Sequence, residues 1–370
     1  MMWTVGEHDD DRATRRFRLT DTEDGLPWGI CDSVDGLFGE PARGTYELFG
    51  WVPAAGEVRG WIGSRVWLLP DDAAAGGEEQ GPWLLEDAES LGRPPGTDGL
   101  VLTGLDDYEG PPEGHRTPVR LHDGRRWLGS CREFTRVLPP ERAAPPLVLR
   151  GLAPRERLRA ALARGTRRSL DLEQAALEIR DDRGRLLTER LLWTRVTDWR
   201  PSSRGTDLID LQLDGARYDP VPEHARPLWE RRLAGPPDTP GTWARLDARG
   251  RAAWLELVRE AGCRGPGRDR PAGHAYRLDG THVTDEAGLY LALGEAVNGP
   301  GGYFGGCLAA VADCLRGGFG HTAPATLLWR DIGTARKHLS RTLTADGRPY
   351  DLFSAVLDVL AGGGMRIVPA

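Results

Sequence analysis

The chain has 370 residues, 39% of them hydrophobic, with 13 Trp, 7 Tyr and 7 Phe, and a net charge of −7. At about 100–200 residues per domain this gives two or three domains, and the apolar fraction excludes wholesale disorder. A mildly acidic chain also excludes nucleic-acid binding over a broad surface, because neutralising phosphates needs a basic face.

Residues 1–10 lack the basic and apolar regions of a signal peptide. No run approaches the ~20 apolar residues of a membrane span. Cysteines number five and include no CxxC pair, which reads as reduced thiols rather than a disulfide framework or a zinc site. The expectation is a soluble, cytoplasmic protein without cofactor or metal. The abundance of Arg over a single lysine, Lys337, with many Ala, Gly and Pro, suggests a GC-rich bacterial genome.

The first two thirds contain an internal repeat. Phe17-Arg18-Leu19-Thr20-Asp21 before Trp28-Gly29-Ile30-Cys31 is answered by Val119-Arg120-Leu121-His122-Asp123 before Trp127-Leu128-Gly129-Ser130-Cys131. Tyr46-Glu47-Leu48-Phe49-Gly50-Trp51-Val52-Pro53 is answered by Leu147-Val148-Leu149-Arg150-Gly151-Leu152-Ala153-Pro154. Leu84-Leu85, Arg93-Pro94 and Gly96-Thr97-Asp98 have counterparts in Leu191-Leu192, Arg200-Pro201 and Gly205-Thr206-Asp207. Short alternating runs closed by Asp-Gly turns predict two mainly-β modules, residues 15–108 and 117–215. The second carries one helical insertion, residues 154–168, whose arginines read as a solvated face.

Residues 216–272 form a Pro-rich connector with one helix over 242–261, its apolar side Trp243, Leu246, Trp254, Leu257 and Val258, stopped by Gly262. The last domain, residues 273–370, reads β-α-α-β-α-β. Its strands are 275–278, 325–329 and 365–368. Its helices are one capped by Thr284, one over 305–315 and one over 350–361. That order implies a small three-stranded parallel sheet covered by helices.

In the helix over 305–315, Leu308, Val311, Ala312 and Leu315 make one apolar stripe. Asp313 points nearly opposite, above Gly306, Ala309 and Ala310. A lone carboxylate on a floor of small residues lets a partner backbone approach. Tyr303 and Phe304, at the entrance through Gly305, would supply rigid aromatic contact area.

The segment Tyr303-Phe304-Gly305-Gly306-Cys307-Leu308-Ala309-Ala310-Val311-Ala312-Asp313-Cys314-Leu315, with Leu327-Leu328-Trp329-Arg330 after it, resembles the signature of the barstar family. The resemblance covers about residues 274–370. It implies an intracellular inhibitor that plugs the active site of a barnase-like ribonuclease, and hence a basic ribonuclease or related toxin as partner. Tyr303, Phe304, Gly305, Gly306, Ala309, Ala310 and Asp313 would be the partner-binding residues. The family carries a further acid, an Asn and a Trp where this chain has Ala309, Cys307 and Ala312. Between Tyr276 and Phe319 five acids stand against two arginines, a net of −3.

No Ser or Cys sits in a recognisable nucleophile setting, and the Gly-rich runs lack the Lys-Ser/Thr of a phosphate loop. The expectation is therefore a multidomain binding protein, antitoxin- or immunity-like, and not an enzyme. The alternative is a scaffold or regulatory protein acting through the repeats, with a barstar-like docking domain that no longer inhibits a nuclease.

Overall fold

The computed structural model describes residues 16–71, 81–106, 109–137, 146–164, 170–214, 220–262 and 268–370. They form two compact units, residues 1–41 with 141–237 and residues 42–140 with 238–370. The protein is multidomain and mainly β outside its C-terminal region.

The first unit holds a barrel split in sequence. Its strands are β1 (Phe17–Asp21), β2 (Pro27–Cys31), β3 (Ser33–Asp35), β14 (Leu147–Pro154), β15 (Leu170–Arg180), β16 (Leu186–Pro201) and β17 (Ile209–Leu213), and the unit also holds a short parallel pair, β4 (Phe38–Gly39) with β18 (Val221–Pro222). The order β17-β16-β15-β1-β2-β14, closed by β17 pairing β14, makes a six-stranded antiparallel ring, with β3 added outside β14. Alternation builds it: in β17, Ile209, Leu211 and Leu213 are buried while Asp210 and Gln212 are not. Helix α1 (Glu156–Ala163) buries Leu158 alone. Helix α2 (Arg226–Ala234) buries Leu228, Trp229 and Leu233. Pro227 of the Pro-rich connector lies in the first turn of this helix, where its missing N–H costs nothing.

The second unit begins with a barrel continuous in sequence. It comprises β5 (Gly44–Phe49), β6 (Val52–Pro53), β7 (Gly60–Pro70), β8 (Trp83–Gly92), β9 (Leu100–Leu105), β10 (Gly114–His115), β11 (Val119–His122), β12 (Trp127–Cys131) and β13 (Glu133–Arg136). Its order is β10-β13-β5-β9-β8-β7-β11-β12-β6. Tyr46, Leu48, Val66, Leu68, Leu102 and Leu121 fill its core.

The two barrels correspond strand for strand. β11, β12 and β13 occupy the places of β1, β2 and β3, and β5–β6, β7, β8 and β9 those of β14, β15, β16 and β17. Every pairing of the split barrel has its equivalent in the continuous one, which adds β10 outside β13. Bulges match too, at Leu19/Thr20 and Leu121/His122. Gly50 and Gly151 both sit at φ 64 with the N–H given to an aspartate, Asp98 and Asp210 respectively. Yet the compact units do not follow residues 15–108 and 117–215. The opening strands of each copy join the closing strands of the other, because β2 pairs with β14 and β12 with β6.

After a 3-10 turn at Thr242–Arg245, helix α3 (Ala248–Gly262) buries Trp254, Leu257 and Val258. The expected single helix over 242–261 breaks at Leu246, whose backbone is extended. The C-terminal sheet is parallel, with β20 (Ala325–Arg330) between β19 (Ala275–Asp279) and β23 (Met365–Pro369). Helices α4 (Glu286–Asn298) and α5 (Leu308–Cys314) connect the first pair. Helix α6 (Ile332–Leu339), the hairpin β21 (Thr342–Leu343) and β22 (Pro349–Tyr350), and α7 (Leu352–Gly362) connect the second. The cap of α4 is Asp285, whose carboxylate accepts from the Gly288 N–H at 2.8 Å, and not Thr284.

Within the second unit, barrel and C-terminal domain are joined by polar contacts, those of Asp87 part-buried. Asp87, at φ 45, accepts from Arg43, from Trp61 Nε1 at 2.8 Å and from Arg249 of α3 at 2.7 and 2.9 Å. Those arginines hold its carboxyl below the usual range even though burial works the other way. Arg65 of β7 pairs with Glu286 of α4. The Leu343 N–H donates to Gly124 O at 2.7 Å.

Candidate partner-binding face

Helix α5 is shorter than residues 305–315 because Gly305 holds φ 88, outside the helical region. A Cβ on Gly305 would also stand 2.6 Å from the Val311 backbone, so the chain must turn there on glycine. Cys307 caps the helix, its sulfur accepting from the Ala310 N–H at 3.5 Å. Val311, Cys314 and Leu315 face the interior.

Opposite them, Asp313 projects with 66% of its side chain exposed, paired to Arg316 at 3.0 Å. Ala309, one turn earlier on the same side, is exposed, and Gly306 and Ala310 are half-buried. The floor of small residues expected around Asp313 is thus present. Cys307 is exposed, whereas Cys314 is buried.

Tyr303 and Phe304 do not supply contact area. Phe304 is fully buried beside His321, and Tyr303 is buried against Phe319. The connector explains Tyr303. Gly262, at the end of α3, lies so close that an added Cβ would overlap the Tyr303 side chain. Arg259 of α3 also comes against Gly306. The chain covers this part of the segment itself, and Gly305 is buried as well.

The acidity is also smaller than the count of residues. Asp285 is paired with Arg251 and Glu286 with Arg65. Glu295 accepts from the Gly241 N–H, Trp243 Nε1 and the Gly301 N–H. Asp279, by contrast, keeps its charge, held below its ordinary range by the Thr281 hydroxyl and N–H. Asp313, like Asp279, is exposed. Asp358 of α7 is exposed. Among the described residues no group of three His, Cys, Asp or Glu is placed to hold a metal ion.

The C-terminal region is thus a parallel three-stranded sheet with helices, among them a short one that presents an exposed carboxylate. Residues 273–346 match the model of the family described as Barstar (barnase inhibitor). The chain therefore ends in a barstar-like domain, and α7 and β23 complete it beyond the matched residues. No curated protein matches the chain. Among the described residues no helix is long and apolar enough to cross a membrane.

Proposed function

We propose that the chain binds and inhibits a barnase-like ribonuclease through α5, acting as a cytoplasmic antitoxin- or immunity-type protein without catalytic turnover of its own. The observation that carries this is Asp313, outward on α5 above Ala309 in a domain matching a ribonuclease-inhibitor family. A carboxylate on a short stem can occupy the phosphate position of a basic nuclease cleft. The alanines beneath it let the cleft rim close on the helix. Long-range attraction between an acidic chain and a basic enzyme raises the encounter rate and weakens with salt.

The test is inhibition of a barnase-type ribonuclease by the full chain and by Asp313→Ala. We expect at least a tenfold loss, about 1.4 kcal/mol, in the variant. The wild type should also bind more weakly at 0.5 M than at 0.05 M salt. Equal inhibition by both proteins would remove Asp313 from the interface. The burial of Tyr303 and Phe304 favours a second reading, in which the domain docks a different protein and the barrels carry the activity. Absence of inhibition by the folded wild type would select it.

A further inference from the structure

Beside α5 lies a groove of about 570 Å³ within the second unit. One wall is barrel, with Trp61, Ile62 and Trp67 of β7; the facing wall holds Tyr290 of α4 with Leu308 and Ala309 of α5. Four contacts hold the walls in place: Asp87 with Arg249, Arg65 with Glu286, the Leu343 N–H with Gly124 O, and His122 Nε2 with Ala345 O at 3.2 Å. A groove fixed in this way needs little ordering when it is filled.

Ala309 belongs to both surfaces. It lines the groove and stands one helical turn from Asp313 on the same side of α5. A body seated on Asp313 therefore reaches the groove mouth without changing face. The exposed part of a seven-residue helix is also far below the ~800 Å² that each partner buries in a specific interface. The surface must extend, and the groove is the concave ground next to it.

We propose that the continuous barrel completes the partner-binding surface, and that the groove receives a loop of the bound nuclease with a large apolar side chain at its tip. This rests on the inhibitor reading of α5. Trp61, Ile62, Trp67 and Leu308 provide an apolar lining for such a side chain. The rim mixes Arg65 and Arg125 with Asp123, Asp285 and Glu286, which suits a polypeptide and disfavours the phosphates of a nucleic acid.

The experiment fills the groove from walls other than α5. Ser64, exposed on β7, and Ala252, on α3, both line it. The full chain, Asp313→Ala, Ser64→Trp and Ala252→Trp are titrated against a barnase-type ribonuclease, with melting temperatures alongside. We expect each filled variant to inhibit 10- to 100-fold more weakly than wild type at unchanged melting temperature. If one of the pair fails to fold, the other still reads the groove. Wild-type inhibition by both filled variants, with Asp313→Ala weakened, would keep the inhibitor reading and overturn the role of the barrel. No inhibition by the wild type would overturn both. A small molecule seen on the wild type by native mass spectrometry and lost in Ser64→Trp, with inhibition unchanged, would assign the groove to that molecule and overturn the proposal.

Discussion

Asp87 is the residue on which the second unit turns, since two arginines and an indole from three different segments converge on it. Asp87→Ala removes the carboxylate that part-buried Arg43 and Arg249 share. We expect a loss of about 3 kcal/mol in urea unfolding. His122 is the second such residue. It is fully buried, accepts from the Gly124 N–H at Nδ1 and meets Ala345 O at Nε2. Burial pushes its titration down, and Arg120 adds to this against Asp123 and Asp346. The unfolded chain takes up this proton near pH 6.5 and the folded chain only below that. The stability it contributes is therefore present above pH 6.5 and is lost as pH falls below it. Between pH 7.5 and 5.5 the wild type should lose on the order of 1 kcal/mol more than His122→Gln in denaturant titrations.

At the scale of elements, Gly29 and Gly129 show why each pair of opening strands sits where it does. A Cβ on Gly29 would stand 2.9 Å from Ala153 O and Leu152, and one on Gly129 would meet Val52 O and the Trp51 ring. Either Gly→Ala change forces two strands apart, and we expect about 1–3 kcal/mol of destabilisation, read by thermal melts. The repeat itself was legible in sequence because alternation such as Ile209–Leu213 and the recurring Gly-Trp-Val-Pro and Gly-Leu-Ala-Pro corners mark strands and bulges locally. Which copy pairs with which was not. Gly29 fits beneath Leu152-Ala153 or Trp51-Val52 on equal chemical terms, so likeness between copies carries no information about exchange. The C-terminal sheet was legible for the opposite reason: its β-α order leaves few ways to connect short parallel strands. In the candidate face, the position of Asp313 followed from helical spacing alone. The burial of Tyr303 depends on Gly262 in a separate helix, and no local pattern announces that.

At the scale of the molecule, the continuous barrel is an insertion between β3 and β14 of the split one, and its strand order is a circular permutation of its host's. A fragment cut at residues 42–140 should therefore show the dispersed amide spectrum of a folded barrel. A fragment cut at residues 15–108 should not, because it would lack the strands β11 and β12 that close the ring. The same nesting sets a timetable during synthesis. β1 pairs with β2 on one side and with β15, Phe17 against Ile179, on the other, so that second edge stays unpaired while the whole inserted barrel is made. At about 5–20 residues per second that wait is roughly ten to thirty seconds. A ribosome stalled near residue 140 should carry one finished barrel and a sticky, chaperone-bound hairpin ahead of it.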